Sequence, residues 1–159
     1  MFAPLLVFVL LEQGSPVPSS FTGHWEGKIT YSRPNDPWPV EIVIVDLVVN
    51  EDLTVSGKFG KPAAEGVETR LGGDGAKISP EGEFNRILLW IDRNPAFCHF
   101  RGKVELSKDG LTLTGKKFIV RDFGKTRGNA DDEDRPATLE LHRIKSGGHP
   151  PPHFLLEIV

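Results

Sequence analysis

Cys98 and His99 are the residues in this chain most like reactive chemistry, because a base beside a thiol can generate thiolate. Neighbouring residues of a strand point to opposite faces, so the two side chains cannot meet in a regular strand. Cys98 therefore reads as a small buried apolar side chain. The run Asp131-Asp132-Glu133-Asp134 offers carboxylate oxygens to a hard cation. It lacks the spaced Asp-x-Asp-x-Asp-Gly pattern of a calcium loop and reads as a solvated loop. His149 and His153 flank prolines in an extended tail that fixes no metal geometry. A single cysteine makes no intramolecular disulfide and falls short of a four-ligand zinc site. No Ser-His-Asp set, glycine-rich phosphate loop or His-Glu-x-x-His pattern occurs. No acid–base pair can be named, so the expectation is a non-enzymatic protein without a cofactor.

Binding residues are easier to name. Trp38 sits between Pro37 and Pro39 in a loop, where it could cap a barrel mouth or pack over its rim. If the strands enclose a hollow, Tyr31, Trp90 and Phe97 are its expected lining, with Tyr31 or Asp46 orienting a bound molecule. Loops 34–39 and 121–136 are the expected contact surfaces if the hollow is filled.

The elements that must position these residues are strands. The pattern apolar-x-Gly-Lys appears at Trp25–Lys28, Val55–Lys58, Phe100–Lys103 and Leu113–Lys116. Glycine inside a strand marks a bulge, a bend or a close backbone approach. Four such points predict strands turning corners around one core. Trp25, Gly27, Ile29 and Tyr31 share one face of the first strand. The runs 41–49 and 87–91 are apolar on both faces, Asp109-Gly110 marks a hairpin, and 121–136 is a polar loop. About eight strands and no amphipathic helix result. An eight-stranded antiparallel up-and-down β-barrel is the expected fold, with a two-sheet β-sandwich as the alternative.

Composition sets the outer bounds. The 159 residues suit one domain, placed at 21–146, with a Gly/Pro-rich tail at 147–159. Net charge is −3, and the lysines stand singly along the strands, which argues against nucleic acid. Residues 2–11 are apolar and uncharged, too short to span a bilayer. They are read as a signal peptide within residues 1–20, making the protein secreted or periplasmic. A packed N-terminal arm, and a cytoplasmic protein, is the alternative.

Gly23-His24-Trp25 in the first strand, with Arg143 near the end of the last, resembles the Gly-x-Trp and terminal-Arg pair of the calycin superfamily, which includes lipocalins and avidin-like proteins. The resemblance implies a barrel closed at one end by Trp25, with the Arg143 guanidinium over the indole. The chain departs from the pattern in having no Thr-Asp-Tyr segment, no disulfide pair and no helix before the final strand. The functional expectation is a lipocalin-like barrel binding a small apolar or amphipathic molecule inside. The alternative is a filled barrel acting through its loops as a protein-interaction or inhibitor module.

Overall fold

Alternating β-branched, aromatic and polar residues form pleated strands with one face to bury. In the computed structural model, which describes residues 20–33, 37–60, 68–91, 98–122 and 134–145, eight such strands follow one another. They are β1 (Gly23–Tyr31), β2 (Val40–Val49), β3 (Val55–Phe59), β4 (Thr69–Gly72), β5 (Glu83–Ile91), β6 (Cys98–Leu106), β7 (Thr112–Asp122) and β8 (Asp134–Arg143). Each pairs antiparallel with the next, and β8 returns to β1 in a register running from Trp25↔Arg143 to Tyr31↔Ala137. The sheet is a closed up-and-down barrel, and the sandwich alternative falls away. No helix among the described residues is long and apolar enough to cross a membrane.

The glycine pattern works as expected. A Cβ on Gly27 would overlap the carbonyl oxygen of Glu140 in β8, and one on Gly57 would overlap that of Asp46 in β2. Neighbouring backbones therefore press together where only hydrogen fits. Register shifts lie between Trp25 and Gly27, between Gly102 and Lys103, and between Thr114 and Phe118, which brackets Gly115. These bulges bend the strands enough to close the barrel.

Two boundaries differ from the sequence reading. β7 continues to Asp122 and β8 starts at Asp134, so the polar loop between them is 123–133, not 121–136. The ladder Arg121↔Asp134, Val120↔Arg135 and Ile119↔Pro136 extends the strands into that polar stretch.

Inward side chains from all eight strands form one core. Trp25, Ile29, Leu47, Ile87, Leu89, Phe100, Leu113, Val120 and Leu141 are fully buried, and no core residue is more than 6% accessible. Phe84 meets Phe100 edge-on at 5.7 Å, and Phe100 meets Phe118 at 5.4 Å.

Candidate functional site

The two ends of the barrel differ. At one end the chain enters β1, leaves β8, and makes the turns after β2, β4 and β6. Trp25 closes this end from within, its indole N–H donating to the Phe21 carbonyl at 2.9 Å. The Arg143 guanidinium lies 4.2 Å over the indole ring. It donates to the carbonyls of Gly110 (2.8 Å), Thr22 (2.5 Å) and Ser20 (2.7 Å). One side chain thus ties together the entry arm, the Ser107–Leu111 hairpin turn and the final strand. That turn has the expected Asp-Gly chemistry: Gly110 has φ 71°, and Asp109 accepts from the Ser107 hydroxyl and the Leu111 N–H.

At the opposite end the connections between β1 and β2, β3 and β4, β5 and β6, and β7 and β8 emerge together. Because β1 pairs with both β2 and β8, the two connections expected to make contacts leave the barrel on either side of β1. Trp38 stands on the first of them with 77% of its surface exposed, flanked by exposed Pro37 and Pro39.

Of the expected lining residues, Tyr31 faces inward and is buried, its hydroxyl accepting from Arg33 at 3.4 Å. Asp46 and Trp90 face outward. A register shift between Ile44 and Asp46 inserts one extra residue, so Val45 and Asp46 both leave the core while Ile44 and Leu47 stay in it. Asp46 instead accepts from the His24 imidazole at 3.0 Å on the outer wall. A shift between Phe84 and Ile87 does the same in β5: Phe84, Ile87 and Leu89 are interior, and Trp90 stacks outside with Arg70 at 5.0 Å. Phe97 lies outside the described residues, as do 1–19, 131–133 and 146–159 with the readings placed on them.

A hollow large enough for a ligand, roughly 300 Å³ or more, would leave its lining accessible to water. The core residues are at most 6% accessible, while Val40 and Ala137, on the inward faces at the loop-bearing end, are partly buried.

Cys98 points into the core and His99 out of it, on opposite faces of β6. His99 is nonetheless only 7% accessible, between Leu88 of β5 and Arg121 of β7. Burial, reinforced by the charges of Arg86, Arg101 and Arg121 and opposed by Asp134, lowers its pKa from 6.5 to about 4. It is neutral at pH 7 and has no proton to deliver there. Among the described residues no group of three or more His, Cys, Asp and Glu side chains is placed to hold a metal. Asp134, from the acidic run, pairs with Arg101 at 2.6 Å and lies 3.9 Å from Arg121.

The sequence reading missed a basic outer wall. Strand pairing brings Arg86, Arg101, Lys103, Lys116, Lys117 and Arg121 onto β5, β6 and β7, against Glu83 and Glu105. Residues far apart along the chain become neighbours across the sheet, Lys103 opposite Lys116 and His99 opposite Arg121. Only the register carries that signal.

No protein-family model matches the chain, and no curated protein or solved structure matches it either. The closed eight-stranded barrel is compatible with a calycin-like fold, and the Trp25–Arg143 stack has the geometry that resemblance implies.

Proposed function

We propose that this chain is a non-enzymatic binding module: a barrel with a filled interior that engages a protein partner at its loop-bearing end. The observation that carries the reading is the packing of the core side chains, each at most 6% accessible. Such an interior favours contacts made by the rim over a molecule held within. Trp38, 77% exposed between two prolines, is the natural anchor. Tryptophan contributes disproportionately to protein interfaces, and the flanking prolines reduce the entropy lost on docking. The connections that follow β1 and β7 would supply the rest of the contact, since both strands end at that end of the barrel.

Native mass spectrometry and partner capture test this together. The purified protein should show its apo mass, with no uptake from fatty acids, retinoids or haem. Trp38→Ala should keep the melting temperature of the wild type yet lose the captured partner. A reproducible small-molecule adduct that disappears on denaturation would instead return the barrel to the carrier class, with Tyr31 the inward polar group to examine.

A further inference from the structure

A closed barrel has a convex outer wall, yet on the β5–β6–β7 side this wall holds a groove of about 510 Å³. Its cause is local. The register shifts between Phe84 and Ile87, between Gly102 and Lys103, and between Thr114 and Phe118 fall on three adjacent strands and meet there. Bulges re-aim side chains and gather beside functional sites. Gly102 provides floor without a side chain, and Ile119, outward and partly exposed, lines it with carbon. Arg101 and Lys117 bring cations to it, and Glu83 stands on the rim with Lys103 opposite in the ladder.

Lys117 is the unusual member. It has φ 51°, a left-handed conformation that a lysine adopts only where surrounding structure holds it. The bulge turns Lys116 and Lys117 both to the exterior, between interior Leu113 and Phe118. The Lys116 ammonium is paired with Glu105 at 2.7 Å. Among the described residues no hydrogen bond or ion pair engages the Lys117 ammonium. Arg101 spends one nitrogen on Asp134 and keeps further N–H donors. The groove thus offers a strained, uncompensated cation beside an Arg fork, over a carbon-lined floor of ligand size.

We propose that this groove is a second binding site, separate from the loop-bearing end, for a small carboxylate or phosphate monoester carrying an apolar group. The anion sits on Lys117 and Arg101, and the apolar part lies over Gly102 against Ile119.

Amide NMR titrations with phenyl phosphate, benzoate and uncharged benzyl alcohol test it. Saturable shifts at the amides of Asn85, Gly102, Lys117 and Ile119 are expected with at least one anion and not with the alcohol. Lys117→Gln and Lys117→Gly should each weaken that response by about tenfold or more, while Lys28→Gln, on the far wall, leaves it unchanged. The glycine variant suits the left-handed backbone and should melt no lower than wild type, which separates lost binding from lost folding. A response to phenyl phosphate alone, or to benzoate alone, supports the site and names its anion. No saturable shift at these amides up to about 20 mM of either anion, an equal response to benzyl alcohol, or undiminished binding in Lys117→Gln overturns it.

Discussion

Arg143 carries more of the fold than any other polar side chain at the closed end, because three carbonyls and an indole face depend on it. Arg143→Ala leaves the Gly110, Thr22 and Ser20 carbonyls without that donor and should cost about 3 kcal/mol in urea unfolding. Arg143→Lys keeps the charge but not the planar fork, and should recover less than half of the loss. His99 sets a different dependence. Its folded pKa of about 4 lies below its ordinary 6.5, so the unfolded chain takes up the proton first. Stability should therefore fall as pH drops from 6.5 to about 4, and His99→Gln should flatten the unfolding midpoint over that window. Asp52 and Asp109 act at lower pH: hydrogen bonds from Thr54 and Ser107 hold both below 3.8, and that contribution disappears on further acidification. A midpoint already independent of pH between 4 and 6.5 in the wild type contradicts the burial of a neutral His99.

At the scale of the strand, bulges decide what was legible. Strand number, the Asp109-Gly110 hairpin and the inward faces of Trp25, Ile29 and Tyr31 could be read directly, because β1 keeps its alternation unbroken along its inner face. Asp46 and Trp90 could not. Each lies just beyond a one-residue insertion that reverses parity, and nothing in Ile44-Val45-Asp46 or Phe84–Ile87 announces that insertion. The glycine signal does announce close approach, and it can be measured apart from backbone conformation. Gly27→Ala drives a methyl group into the Glu140 carbonyl and should cost at least about 3 kcal/mol, with loss of β1–β8 pairing. Gly75 also has positive φ, 76°, but open space beyond it, so Gly75→Ala should cost only about 1 kcal/mol. Equal losses at the two sites count against the close approach.

Over the whole molecule the charge of −3 hides an asymmetry. Away from the basic wall of β5–β7, where Asp134 pairs with Arg101, the outer faces of β1, β2 and β8 carry Glu26, Glu41, Asp46 and Glu140 against Lys28. Charges farther apart than about 10 Å at 0.1 M salt no longer sense one another, so a surface meets one wall at a time. The protein should therefore be retained by a cation exchanger at pH 7 in about 0.1 M salt despite its pI near 5.9, and Lys103→Gln with Lys117→Gln should abolish the retention. Elution in the void volume would show that the basic wall does not act as a patch. The pairing of β1 with β8 has a further consequence, for synthesis on the ribosome. Tyr31 and its partner Ala137 are separated by roughly 100 residues. At about 5–20 residues per second, β1 waits on the order of ten seconds with one edge open before β8 is made. Closure cannot precede the synthesis of β8, and until then any sheet formed by the nascent chain has β1 and β7 as open edges, each able to accept a strand from another chain.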